Sequence, residues 1–255
     1  MSSLAEVQRD AYVTSMMEHL RKFSPLQADA LGSTGLRGVI QMGFRRSQAH
    51  GFTSRSSARF FLELMFLLGS EFDTDPQYPW AAEALAPTTP DDDPVLRALA
   101  LHQKTIEYLH AALGPQRQFV MAALERAADL RSEDCTQWSD PEEILAHFWT
   151  IFPEKCEVVG SAGLQALLTS AFELARTHNL PVRSGGCMLT VLMFSLGHRV
   201  VSDPIHPWVA RLLGEPDLSA EERLASLEAK TRAYLRAVLA AARKGKSKEG
   251  PDGLL

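Results

Sequence analysis

Apolar residues recur along this chain at helical spacing and nowhere with the alternation of a strand. Leu164, Leu167, Leu168, Ala171, Phe172 and Ala175 fall at i, i+3, i+4, i+7, i+8 and i+11, one stripe of an amphipathic helix. Leu36, Val39, Ile40, Gly43, Phe44 and Ser47 repeat that pattern upstream. Helix-start signals sit where the stripes need them. Ser3-x-x-Glu6 is a capping box opening a helix towards Phe23, and Ser161 is placed to cap the 164–175 stripe. Ser139-Asp140-Pro141-Glu142 supplies a cap and then proline at the first helical position. Ser219-x-x-Glu222 opens a long final helix to about Arg243. The pattern predicts an all-α fold.

The same pattern occurs twice. At a fixed offset of 128 residues, positions 19–85 and 147–213 share 21 identities in 67 without a gap. Gly32-Ser33-x-Gly35-Leu36 answers Gly160-Ser161-x-Gly163-Leu164, and Leu64-Met65-Phe66-x-Leu68-Gly69 answers Leu192-Met193-Phe194-x-Leu196-Gly197. Asp75-Pro76-x-x-Pro79-Trp80 answers Asp203-Pro204-x-x-Pro207-Trp208. After a two-residue deletion, Leu101, Lys104, Thr105, Tyr108 and Leu109 align with Leu227, Lys230, Thr231, Tyr234 and Leu235. The organisation expected is a first helical repeat over 1–113, a helical connector over 114–134, a second repeat over 135–243 and a disordered tail over 244–255. Two such units form a bilobed helical body, with a groove for a partner at their junction.

At 255 residues and 45% apolar, the chain can bury a core, which excludes disordered and low-complexity classes. A net charge of −5 argues against a nucleic-acid binder. The apolar runs at 60–68 and 188–196 are about half the length of a membrane span, and the N-terminus lacks a signal-peptide pattern. No membrane is expected as a partner. Three cysteines without a CxxC read as reduced thiols, and the expected location is the cytoplasm.

Catalytic and cofactor signatures are missing. The chain has no HExxH, GxSxG or SxxK, and Gly185-Gly186 is isolated rather than part of a phosphate loop. No catalytic residue, metal or cofactor is assigned. His50 and His178 are expected at helix C-termini, where imidazole meets the negative end of the macrodipole. The repeated Asp-Pro-x-x-Pro-Trp reads as structure: a turn, a helix start on the second proline, and a tryptophan anchor.

Charge separates the copies. Residues 71–93 hold seven acids and no basic residue, while 199–219 holds three acids and two arginines. Residues 37–59 carry five arginines and no acid. One reading pairs these charges with each other or with water. The sharper reading makes a docking face for a basic protein partner from Glu71, Asp73, Asp75, Asp91, Asp92 and Asp93 with Arg45 and Arg46.

The stretch Phe60 to Trp80, FFLELMFLLGSEFDTDPQYPW, resembles bacterial helical proteins in which an apolar LMFxLG helix leads into FDxDPxxPW. Such proteins are often encoded near secreted-toxin genes or the spike genes of type VI secretion systems. The second copy keeps LMFSLG and DPIHPW but replaces Phe-Asp-Thr with Val-Val-Ser at 200–202. The likeness implies a partner-binding protein and transfers no functional residue. The expected function is non-enzymatic: an immunity protein that caps a secreted toxin, or an adaptor that holds a secreted effector before loading. An enzyme with a site between the copies, and a subunit of a larger assembly, are the other classes.

Overall fold

The computed structural model describes residues 4–87, 92–138 and 140–246. Eleven α-helices and no strand occur among the described residues. The first six are α1 (Leu4–Phe23), α2 (Pro25–Ala49), α3 (Arg55–Leu68), α4 (Pro79–Leu85), α5 (Pro94–Leu113) and α6 (Gln118–Asp129). The remainder are α7 (Pro141–Ile151), α8 (Pro153–Thr177), α9 (Val182–Leu196), α10 (Pro207–Leu213) and α11 (Ala220–Lys246). Short 3-10 turns lie at Phe72–Thr74, Pro115–Arg117 and Asp134–Gln137.

The chain divides into two compact units, Met1–Ile106 with Leu196–Arg211, and Glu107–Ser195 with Leu212–Leu255. This division crosses the sequence repeat. The second copy's Asp-Pro turn groups with the first unit, and the connector helix α6 groups with the second. The first core is built on Leu20, Leu36, Ile40, Phe52, Phe61, Leu62, Met65 and Phe72, all fully buried. The second is built on Phe148, Phe152 and Phe194 with Leu167, Met188 and Leu192. There Phe194 meets Phe148 and Phe152 edge-on, with ring centroids 6.2 and 5.0 Å apart.

Several capping signals act as read. Asp140 caps α7, its carboxylate accepting from the Glu143 N–H at 2.9 Å, with Pro141 next. At α11 the Glu222 N–H donates to Ser219 Oγ (3.2 Å) while Glu222 accepts from the Ser219 N–H (2.9 Å), a complete capping box. His50 and His178 are the C-caps of α2 and α8. Ser3, Ser139 and residues 247–255 of the expected tail lie outside the described residues, while residues 244–246, expected in that tail, continue α11.

α8 joins two helical segments across a break at Gly160 (ψ 167°), so the segment that carries the stripe does begin at Ser161, but Ser161 lies just inside it and Gly160 holds the non-helical cap position. α8 changes direction at Gly160 (φ 73°), as α2 does at Gly32 (φ 63°), a left-handed conformation that glycine adopts without a Cβ penalty. α8 is also the one helix among the described residues long and apolar enough to cross a membrane; its stripe Leu164, Leu167, Leu168, Ala171 and Ala175 is buried.

Candidate functional site

The two Asp-Pro turns lie in the first unit and bind each other reciprocally. The Ser70 N–H donates to Asp203 Oδ2 at 2.9 Å, and the His198 N–H, 128 residues on from Ser70, donates to Asp75 Oδ2 at 2.8 Å. Each aspartate also caps its own turn, Asp75 accepting from the Gln77 N–H (2.9 Å) and Asp203 from the Ile205 N–H (2.8 Å). Gly69 and Gly197 lie back to back, both at φ 107°. A Cβ on either would stand 2.8 Å from a carbonyl oxygen, that of Leu196 or of Leu68. Burial pushes the Asp203 carboxyl above its ordinary value, and the Ser70 and Ile205 N–H groups oppose it. Both carboxylates are spent on backbone amides, and Asp75 also accepts from the Gln77 side-chain amide (3.0 Å) and lies 3.2 Å from the His198 ring Nδ1.

That arrangement removes much of the expected docking face. Asp73 and Asp75 are buried. Asp73 is held by Arg46 and by His50 Nε2 at 3.0 Å. Burial raises its pKa, but the His50 hydrogen bond and the Arg46 charge outweigh that and leave it below the usual carboxylate value. Asp92 pairs with Arg97 (3.5 Å) and Glu71 with Arg199 (3.5 Å). Asp93 is exposed but accepts from the Val95 N–H at the start of α5. Arg45 is exposed without an ion-pair partner among the described residues, and Asp91 lies outside them. Of the arginine-rich 37–59 stretch only Arg46 pairs with the acidic turn; Glu71, Asp75 and Asp92 find Arg199, His198 and Arg97 instead, while Arg37 and Arg59 pair with Asp10 and Glu63. Asp73, Asp75 and Arg46 are not available to a partner as the docking reading required.

The open chemistry of the first unit lies elsewhere. α3 starts at Ser54, whose hydroxyl accepts from the Ser57 N–H (3.1 Å), and its outer face then carries Ser56, Arg59, Phe60 and Glu63. With Tyr12 and Met16 of α1 and Arg55, they line a cleft of about 470 Å³. Glu63 sits between His19 Nε2 (2.7 Å) and Arg59 Nε (2.9 Å). Arg55 has no ion-pair partner among the described residues. The Tyr12 hydroxyl is buried without a hydrogen-bond partner there, and burial pushes its pKa up to about 12 against the pull of Arg55 and Arg59.

Beside this cleft runs an apolar helix face. α5 buries Leu101, Thr105, Tyr108 and Ala112. One residue step, about 100° around the helix, turns a second stripe outwards: Val95, Leu99, His102 and Ile106 at i, i+4, i+7 and i+11. Val95, Leu96, Leu99 and Ile106 are 63, 61, 60 and 50% exposed. The Phe60 ring, in the cleft wall, lies 5.3 Å from the His102 ring and joins the two features.

The second unit has the matching elements, and there they are covered. On α9, Ser184, Cys187, Met188 and Val191 stand where α3 has Ser56, Arg59, Phe60 and Glu63, and all four are buried. Cys135, in the turn after α6, lies against Cys187. Arg183, the counterpart of Arg55, donates to the Thr136 carbonyl of the same segment at 3.5 Å. α6 lies along α11. Arg232, the counterpart of Ile106, donates to the Ala128 carbonyl (2.9 Å). Glu228, the counterpart of His102, accepts from the Ser132 N–H (3.0 Å) and hydroxyl (2.6 Å). So residues 118–138 engage in the second unit the counterparts of Arg55, Arg59, His102 and Ile106, whereas Glu221, Glu222 and Ala225, the counterparts of Val95, Leu96 and Leu99, stay exposed there too.

Sequence reasoning missed Tyr12, Arg55, Arg59, Phe60, Leu99 and Ile106. A signal existed, because Val95, Leu96 and Ile106 replace Glu221, Glu222 and Arg232 outside the shared Leu-x-x-Lys-Thr-x-x-Tyr stripe. A second hollow, of about 540 Å³ between Asp140, Glu142, Leu145, Gln165, Leu168 and Thr169, is lined by no basic residue. No group of three or more potential metal ligands occurs among the described residues. Compared with known proteins, the chain matches no protein family, no curated protein and no solved structure.

Proposed function

We propose that this chain is a non-enzymatic partner-binding protein that works through the first unit's α3–α5 face. The observation that carries the reading is the apolar stripe of Val95, Leu96, Leu99 and Ile106 beside a cleft whose Arg55 has no ion-pair partner among the described residues. Exposed apolar residues in a contiguous row cost solubility unless something covers them, and such patches are interaction sites. Leu99 and Ile106 leave 60 and 50% of their surface in water.

The likeness of LMFxLG and DPxxPW to proteins encoded beside secreted toxins sets the proposed partner among secreted toxins and effectors, and the proposed location in the cytoplasm. Between the two roles, the adaptor for a type VI-type effector is the better supported. An immunity protein capping a basic toxin would use the acidic 71–93 stretch, whose Asp73 and Asp75 are buried. An adaptor captures a segment, and an open helix face suits a segment.

The test is a native pull-down of the tagged full chain from its own organism, with a Leu99→Glu/Ile106→Glu chain alongside. Wild type should bring down one stoichiometric partner and the double variant should lose it, with unchanged circular dichroism. A partner retained undiminished overturns the reading. Deletion that abolishes effector secretion supports the adaptor. Deletion that is lethal only beside an intact toxin gene replaces it with immunity.

A further inference from the structure

We infer that the occupant of the first unit's open face is an amphipathic helix of the partner, carrying a carboxylate for Arg55 and Arg59. The inference rests on the partner-binding reading and names what binds there. Its warrant is the second unit, where the chain supplies its own occupant. α6, with Ala123, Ala127 and Ala128 buried, lies along α11, and the following turn lies against α9. Small residues on that buried side let the helices approach closely. The counterparts of the covered positions are His102 and Ile106 on α5 and Arg59, Phe60 and Glu63 on α3, and they are open or line the cleft.

The differences between the two faces specify the ligand. Beside the buried alanines of α6, α11 adds Glu228 and Arg232, whose charge-assisted hydrogen bonds reach Ser132 just past α6 and the Ala128 carbonyl. α5 offers Ile106 and Leu99 where α11 has Arg232 and Ala225. A helix that fits α5 therefore brings apolar side chains at i, i+3 or i+4, and i+7, the helix-in-groove mode of recognition. The α3 side differs in the opposite sense. Cys187 and Val191 become Arg59 and Glu63, and Arg55 has lost the carbonyl that Arg183 holds. Arg59 is already engaged by Glu63, which leaves Arg55 as the cleft-lining cation with no ion-pair partner among the described residues. A carboxylate next to the partner's apolar stripe fills that place. A second copy of this chain fits less well, because two α5 stripes facing each other leave both Arg55 side chains unmatched.

The experiment pans a displayed library of amphipathic helical peptides against the full chain. The most enriched peptide is then synthesised and its affinity measured by fluorescence anisotropy. Enriched sequences should carry the apolar spacing above with at least one Asp or Glu, and circular dichroism should show helix on binding. Leu99→Glu and Ile106→Glu should each weaken binding by about tenfold or more. Arg55→Ala should weaken it by a few-fold and flatten its salt dependence, since a rim ion pair is screened. Arg55→Glu, which leaves the stripe intact, should weaken it further. The inference is overturned if no peptide enriches, if the bound peptide is not helical, or if these variants bind as wild type does. Should no helix emerge while the Leu99→Glu/Ile106→Glu chain still loses its natural partner, the helix falls and the partner-binding reading stands. Retention of the natural partner by that chain overturns both.

Discussion

α5 and α11 share one inward stripe and differ in what their outer faces meet. Inside, Thr105 and Thr231 each donate to the carbonyl four residues back, Leu101 and Leu227, at the same 2.7 Å. Outside, α11 lies under α6 and uses Glu228 and Arg232 to hold it, while α5 exposes Leu99 and Ile106. Inward residues are held by packing, which tolerates little change in volume or shape. Outer positions are free to follow whatever lies on top. The comparison teaches that the half of the molecule with a helix of its own spends polar residues on it, and the half without one has kept an apolar surface.

The strongest way to break the likeness between the copies is at their paired turns. Gly69→Ala and Gly197→Ala force a Cβ to 2.8 Å from a backbone carbonyl at φ 107°. Each should cost about 3 kcal/mol or more in urea denaturation. The two losses should match closely, and a large difference would mean that the turns do not carry equal strain.

Acid sharpens the next contrast. His206 takes the place of Tyr78 and is buried, and desolvation lowers its pKa to about 4. A histidine with a depressed folded pKa binds its proton more readily when unfolded. Its contribution to stability is therefore present above the ordinary value of about 6.5 and is lost as pH falls towards 4. Wild type should lose roughly 3 kcal/mol over that window. His206→Tyr should lose much less, and a parallel loss in both chains would show that His206 is not the group responsible.

Glu228→Ala removes the carboxylate that accepts from the Ser132 N–H and hydroxyl. It should cost about 2 kcal/mol because a part-buried donor is left unpaired. His102→Ala, at the same place on α5, should cost under about 0.5 kcal/mol. Thermal melts of the two variants check the pair. Equal losses would mean that the α5 face is already supported.

The smallest effect separates two buried carboxyls. Asp73 lies below its ordinary pKa, so it adds stability above the unfolded value, and that contribution fades as pH falls through its folded value. Asp203 lies above its ordinary pKa, so its contribution is complete at low pH and is lost as pH rises through its folded value. Relative to wild type, Asp73→Asn should therefore look worse as pH rises from 3 to 6, and Asp203→Asn better. Urea midpoints across that range measure the two trends, and trends of the same sign would contradict the assignments.

The chain alone determined the helical class, because apolar spacing at 3.6 residues needs no tertiary partner to be recognised. Ser219-x-x-Glu222, Asp140-Pro141 and the helix-ending His50 and His178 were legible for the same reason: a cap is made by residues within one turn. The structural character of Asp75 and Asp203 also followed from local turn chemistry. What each carboxylate reaches did not, since Ser70 lies 133 residues from Asp203. Charge misled where distance along the chain hid its partner. Asp73 reads as an exposed acid until α2 brings Arg46 and His50 to it. The open face was invisible for a related reason. Val95, Leu99 and Ile106 have the composition of a buried stripe, and only the packing of the other helices decides which of α5's two apolar stripes is covered. Sequence periodicity fixes which residues share a face. Whether that face is filled depends on segments far away in the chain.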